Sequence, residues 1–392
     1  MSFFAKNKKD AGELTLVFDI GSSSVGGALF LRQSSGVPKI IYAVREQIRI
    51  EETVDIQKLL QDTMQAVKKV AGLMCLQGLG RPSSIYCVLS SPWYASQTRT
   101  VVLEKNAPFI FNDKLADSLI QKELKLFEDE HALKYNQTSN SIKSLEMRTM
   151  STVLNGYVTT KPFGQKAEDL ELTMFISMAE SGFLKEIESS ISRHFHEAKI
   201  EFITFILSSF VVARDMFVNK ESFLLVNIGG EITDISMIKK DILREAISFP
   251  MGRNYIIRGV SKGMSCSIED ARSFISLYKE GHMSDELLHK MDLVMMALKT
   301  EWLKKFQESI SIITTDISIP ATVFITVDQD LSDFFSHTIK TEQFNQYTLT
   351  ESKFRVLFLG TESLHGIAVL DDKTIRDPFL IIESIYINEF LK

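Results

Sequence analysis

The sequence predicts a two-part α/β fold, and three observations carry that expectation. Leu14 to Phe30 reads as a buried strand, a tight polar turn built on Asp19-Ile-Gly-Ser-Ser-Ser-Val25, and a second strand. The same unit returns from Phe223 to Ile238, with Asn227-Ile-Gly-Gly-Glu-Ile-Thr-Asp234 at its turn. After each hairpin, apolar strands alternate with amphipathic helices, the pattern of a layered α/β domain. A strand–turn–strand unit used twice suggests two similar halves facing a cleft.

The turns carry chemistry. Gly21 lets the backbone reverse without a Cβ clash, and Ser22, Ser23 and Ser24 offer hydroxyls and N–H groups to an anion. Asp19 is the residue type that holds a hydrated divalent cation. Alone, this segment reads equally as an ordinary Gly-Ser hairpin. The second hairpin tips the balance toward a nucleotide whose phosphates are clamped between the two.

These two stretches resemble the phosphate motifs of the actin-like ATPase superfamily, in particular its bacterial members FtsA, the cell-division actin, and PilM, the actin-like protein of type IV pilus assembly. The resemblance runs from about residue 13 to the end, strongly at the hairpins and weakly in the last third. It implies an actin-like fold of duplicated ribonuclease-H-like halves with an inserted α+β interaction subdomain. Its phosphate site would comprise Asp19, Gly21, Ser22, Ser23, Ser24, Gly229, Gly230, Thr233 and Asp234, with Asp19 and Asp234 nearest a Mg²⁺. The expected domains are a disordered leader over 1–12, a first half over 13–92 and 179–222, the insertion over 93–178, and a second half over 223–392.

Composition bounds the function class. The 392 residues suffice for two or more domains with large cores. With 45% apolar and 24% charged residues, the composition is that of a soluble globular protein. A formal charge of −6 with scattered Lys and Arg gives no reason to expect nucleic acid. Cys75, Cys87 and Cys266 lie far apart without metal-type spacing and read as reduced, buried residues of a cytosolic protein. No apolar run is long enough to span a bilayer, and the N-terminus lacks a signal-peptide core.

Taken in order, residues 39–50 read as a further strand and residues 55–76 as an amphipathic helix with Ile56, Leu59, Leu60, Met64, Val67, Val70 and Ala71 on one face. Ser84 to Ser90 returns as a strand. Within the insertion, Asn112 or Asp113 caps a helix bearing Leu115, Leu119, Ile120, Leu124 and Phe127, followed by a polar stretch to Ser141. Strands follow over 143–158, broken at Asn155-Gly156, and over 169–178. The stretch from Leu154 to Gly164 is similar to a strand–turn of the FtsA insertion. Gly182 to Phe195 is a helix, 200–206 a strand and 208–217 a helix. His194 and His196 have no further ligand nearby and suit a helix end rather than a metal. Beyond the second hairpin come a strand over 243–249, helices to Val260, over 267–278 and 284–306, and strands over 321–327 and 354–360. Asp377 and Pro378 suit the N-cap and first position of a closing helix over 379–391. That helix has two glutamates and no basic residue before Lys392, so it does not suit an anionic membrane.

The sequence departs from the superfamily pattern where ATP would bind. Asn227 stands in place of the second motif's leading carboxylate, and Glu231 in place of its third glycine. A like charge beside a phosphate costs on the order of 4 kcal/mol at an effective dielectric near 20, roughly a thousandfold in affinity, unless Glu231 points away. The residues matching the family's adenosine contacts are Arg272 and Ile275, and its Gly-Gly turn falls at Val327-Asp328-Gln329. ATP and Mg²⁺ binding is therefore expected to be weak or absent, without useful ATPase activity.

The resulting expectation is a cytoplasmic FtsA-like scaffold in cell division that polymerises with itself or docks partners through residues 93–178, reaching the membrane only through a partner. The alternative is a PilM-like adaptor that binds a short cytoplasmic tail of an inner-membrane pilus protein. An active ATPase or small-molecule kinase of the same fold would need an intact Mg²⁺-carboxylate set and a second pocket with a base, and the sequence supplies neither.

Overall fold

A computed structural model describes residues 12–33, 36–135, 141–196, 198–313, 319–341 and 353–391. The expected leader, save residue 12, and residues 136–140 of the expected polar stretch lie outside the described residues. Two compact units emerge. One comprises 1–90, 187–216 and 358–392, and the other 91–186 and 217–357. The inserted segment thus groups with the second hairpin, and the final helix with the first.

In the first unit, β1 (Glu13–Ile20) pairs antiparallel with β2 (Ser24–Arg32), and β2 pairs antiparallel with β3 (Lys39–Gln47). On its other side β1 runs parallel to β4 (Ser84–Leu89), and β4 runs parallel to β9 (Lys199–Thr204). The core of β1 is an unbroken buried run from Leu16 to Ile20, as a strand covered on both faces requires. Helix α1 (Ile56–Leu76) packs on β2 and β3 with Met64, Val67, Val70 and Ala71 buried, and Asp55 caps it by accepting from the Gln57 and Lys58 amides. Helix α3 (Ser181–Ser192) and α4 (Phe205–Met216) flank β9 in the chain. Helix α9 (Pro378–Phe390) is apolar nearly all round and buries against β1, β2 and α4, the expected signature of an internal helix. Asp377 caps it, accepting from the Phe379 and Leu380 amides, and Pro378 occupies its first turn.

The second unit repeats the order. β10 (Phe223–Ile228) pairs antiparallel with β11 (Thr233–Lys239), and β11 with β12 (Ile242–Phe249). β10 runs parallel to β13 (Thr322–Val327), with β14 (Arg355–Phe358) beyond it. The strand orders β3-β2-β1-β4-β9 and β12-β11-β10-β13-β14 are the same topology, an internal duplication. Helices α5 (Arg253–Met264), α6 (Ile268–Glu280), α7 (Asp285–Ile313) and α8 (Ser332–Thr341) complete this unit.

The inserted segment forms its own antiparallel sheet in the order β5-β8-β6-β7, from β5 (Ala95–Ile110), β6 (Ile142–Leu154), β7 (Tyr157–Val158) and β8 (Lys166–Glu180). Helix α2 (Asp113–Tyr135) covers one face through Leu115, Leu119, Ile120, Leu124 and Phe127, packed on Leu170, Leu172, Met174 and Ile176. Asn112 is the cap, accepting from the Leu115 amide at 2.9 Å. Asn155 and Gly156, both with positive φ, make the tight reversal between β6 and β7. β5 was not anticipated from the sequence. Its sixteen residues are half polar, run together in blocks and are partly exposed, so it lacks the apolar alternation that marks a half-buried strand.

Candidate functional site

Each hairpin turn closes in the same way. The Gly21 amide donates to the Ser24 carbonyl at 3.1 Å, and the Gly229 amide to the Ile232 carbonyl at 2.9 Å. What surrounds the two turns differs, because each cross-strand row next to the turn carries a different set of charges.

In the first unit the row reads Asp19 on β1, Gly26 on β2 and Arg45 on β3, consecutive partners across the sheet. Arg45 reaches across Gly26 to Asp19: its Nη2 donates to Asp19 Oδ2 at 2.7 Å. Its other nitrogens are also used. Nη1 donates to Ser24 Oγ at 2.8 Å, Nη2 also to Asp377 Oδ1 at 3.0 Å, and Nε to Asp377 Oδ2 at 2.5 Å. The guanidinium also lies 5.4 Å from the Phe379 ring centre. Ser22, Ser23 and Ser24 are buried, and the Ser23 carbonyl accepts from the Ile48 amide at 2.8 Å.

Behind this row sits Glu383 of α9, 0% exposed, with neither carboxyl oxygen near a donor. Burial pushes its pKa well above the usual carboxylate range, the neighbouring Asp19 adds to the rise, and Arg45 offsets only part of it. A hydrogen bond shared with the Asp19 carboxyl adds to the rise. Neither glycine motif marks Arg45, Asp377 and Glu383 as members of one site. The signals were a glycine pair, Gly26 and Gly27, inside a strand and a lone interior glutamate in an apolar helix.

In the second unit the corresponding row reads Asn227, Asp234 and Ser248. Asp234 is buried; its Oδ1 accepts from Ser91 Oγ at 2.8 Å and from Ser248 Oγ at 2.5 Å. Burial raises its pKa, against the opposing pull of hydrogen bonds from Ser248, Ser91 and Asn227. The Thr233 hydroxyl donates to the Met251 carbonyl at 2.8 Å, which also accepts from Trp302 Nε1 at 3.0 Å. Glu231 turns to α5: Arg258 Nη1 donates to its Oε1 at 3.0 Å, Arg258 Nη2 to its Oε2, and Asn254 Nδ2 to Oε1 at 2.8 Å. The like-charge cost expected for Glu231 thus falls on a carboxylate already neutralised by Arg258.

The start of α5 also closes over this turn. The Arg253 and Asn254 amides donate to the Gly229 and Gly230 carbonyls, both at 2.8 Å. Gly252 permits the approach, since a Cβ there would sit 2.4 Å from the Gly229 oxygen. These N–H groups are committed to the chain itself rather than directed at an anion.

On the adenosine side, Ile275 is buried on α6 and Arg272 is half-buried beside it. Ile275, Tyr278, Met295, Leu331 and Phe334 help line a cavity of about 770 Å³. Its ionic rim is paired: Tyr278 donates to Asp292 at 2.7 Å and Lys279 to the Gln329 carbonyl at 2.9 Å. Where the Gly-Gly turn was expected, Arg253 binds Asp330 with Nε at 2.9 Å and lies 3.5 Å from Asp328.

A bound Mg²⁺ needs free carboxylate oxygens at the turn. Asp19 is ion-paired with Arg45, and Asp234 is buried among hydroxyl donors, so these residues do not fit that ion. Among the described residues, no group of three or more His, Cys, Asp or Glu side chains is arranged to hold a metal.

The duplicated sheet order, the paired glycine turns and the insertion define an actin-like fold, and one solved structure shares the fold at low sequence identity. The chain is similar to a structure described as the PilM-PilN type IV pilus biogenesis complex, with 12% identity and a TM-score of 0.61 over 95% of this chain and 97% of that one. A weaker likeness is to the ethanolamine utilization protein EutJ from Carboxydothermus hydrogenoformans, with 10% identity and a TM-score of 0.44 over 96% and 89% of the two chains. No protein-family profile and no curated protein sequence matches the chain. Among the described residues no helix is long and apolar enough to cross a membrane.

Proposed function

We propose that the chain is a PilM-like adaptor: an actin-like scaffold that docks a short cytoplasmic segment of a membrane protein and does not turn over ATP. The observation that carries this reading is the near-complete two-way alignment with the PilM fold, end to end on both chains. The occupied state of both turns supports a docking role over phosphoryl transfer, because Asp19, Glu231 and Asp234 each already have an internal partner. The inserted sheet supplies a candidate contact surface, since Tyr157 and Val158 at its β6–β7 tip are 78% and 74% exposed. On this reading the protein is cytoplasmic and reaches the inner face of the membrane through its partner.

The test is co-expression with the cytoplasmic tails of the inner-membrane proteins encoded beside its gene. A stoichiometric complex with one such tail, and membrane sedimentation only when that protein is present, is the expected result. Filaments by electron microscopy together with recruitment to the division site would instead favour the FtsA-like scaffold.

A further inference from the structure

We propose that Arg45 is a resident cation: its guanidinium stands where a hydrated divalent ion would lie against Asp19, so the first hairpin is neutralised from within and needs no metal. This is independent of which partner the chain docks.

Four features of the geometry carry it. Arg45 makes four hydrogen bonds, to Asp19, Ser24 and both oxygens of Asp377, and uses all three of its nitrogens. Its side chain is only 12% exposed, so the contacts are largely dry. The lane it crosses has been cleared for it: a Cβ on Gly26 would lie 2.8 Å from Arg45 Nη2 and 3.2 Å from Leu380 Cδ2. A residue with any side chain there would push the guanidinium off Asp19. Finally, a third acid stands behind the row, because Glu383 is fully buried without a donor to its carboxyl oxygens. Arg45 bridges Asp19 and Asp377, and the charges of all three act on the buried Glu383.

The planar fork of arginine satisfies two carboxylates and a hydroxyl without any water, whereas Mg²⁺ gives up its water shell reluctantly. Removing the guanidinium leaves buried carboxylates facing one vacated space, an arrangement that is strongly unfavourable unless another cation enters. The second hairpin makes the contrast. Its row places Ser248 where Arg45 stands in the first, and Asp234 is satisfied there by hydroxyl groups rather than by a charge.

The test uses the full-length chain, thermal melts and Mn²⁺ electron paramagnetic resonance. The unsubstituted protein is expected to show the same Tm in EDTA, MgCl2 or MnCl2, and no Mn²⁺ bound. Arg45→Met is expected to lower Tm by about 5 to 10 °C, with part of that loss recovered on adding MnCl2. The pair Asp19→Asn/Arg45→Met is expected to melt above Arg45→Met and to ignore Mn²⁺. Gly26→Ala, which displaces the guanidinium without removing it, is expected to show a smaller loss and a smaller Mn²⁺ recovery. Mn²⁺ bound by the unsubstituted protein and lost in Asp19→Asn overturns the assignment, as does an Arg45→Met protein that is fully stable or blind to Mn²⁺. Should Arg45→Met not fold, the double variant decides: folding better than the single supports the resident cation, and folding no better overturns it.

Discussion

Glu231 and Arg258, 27 positions apart in the chain, form a two-pronged ion pair, with Arg258 Nη1 donating to Glu231 Oε1 at 3.0 Å and Nη2 to Oε2. Both side chains are mostly buried, at 11% and 16% exposure, so the pair ties the second glycine turn to α5. The acid that sequence alone casts as an obstacle to phosphate is, in the fold, a fastening.

Arg258→Met removes the cation from Glu231 in a nearly dry site. The expected cost is about 1 to 3 kcal/mol in chemical denaturation. Glu231→Gln/Arg258→Met is expected to regain most of it; a double variant no better than the single would show that Glu231 does not bear the penalty.

Gly252→Ala places a Cβ against the carbonyl oxygens of Gly229 and Gly230, at 2.4 and 2.5 Å, which are backbone atoms that cannot rotate aside. Separating them breaks the donation from the Arg253 and Asn254 amides. A loss of about 3 kcal/mol is expected. Ser265→Ala, at the other end of the same helix, serves as the control; equal losses in both would count against the close approach.

Glu383 gives the stability a pH slope of defined sign. Its folded pKa is raised, so between the ordinary carboxylate range and that raised value the folded chain holds a proton that the unfolded chain has released. Stability contributed by this group is therefore lost as pH rises through that window. Glu383→Gln is expected to flatten the slope and to raise Tm at pH 8 by about 2 °C or more. A variant that melts lower at pH 8 than the parent would show that the buried group is ionised and compensated.

Mg·ATP is expected to give no heat of binding at micromolar concentrations by isothermal titration, because Asp19, Glu231 and Asp234 are all engaged. Micromolar affinity, or phosphate release abolished by Asp19→Ala, would refute the reading of a chain that has given up nucleotide turnover.

Much of the architecture is legible in the sequence because its causes are local. The two hairpins announce themselves as apolar runs around glycine, Asn155-Gly156 as a reversal, and Asp377-Pro378 as a helix start. β5 and α8 escape because their composition is mixed and their burial comes from neighbours distant in the chain. The site divides along the same line. Asp19, Gly21, Gly229 and Asp234 are found by motif, but their chemistry is decided by Arg45, Asp377, Ser91, Ser248 and Arg258, some of them more than three hundred positions away: Arg45 and Asp377 are 332 apart. A motif reports what a turn can offer; it does not report which side chain arrives to take the offer.

The first unit is assembled from three separated stretches, and α9, from the far end of the chain, fills the space beside β1 and β2. During synthesis, its opening strands must therefore wait, with their inner faces uncovered, while nearly three hundred and fifty further residues are made. The second unit can close before the first does. A ribosome stalled late in this message would release a half-finished molecule in which α1 covers one side of those greasy strands and nothing from α9 covers the other.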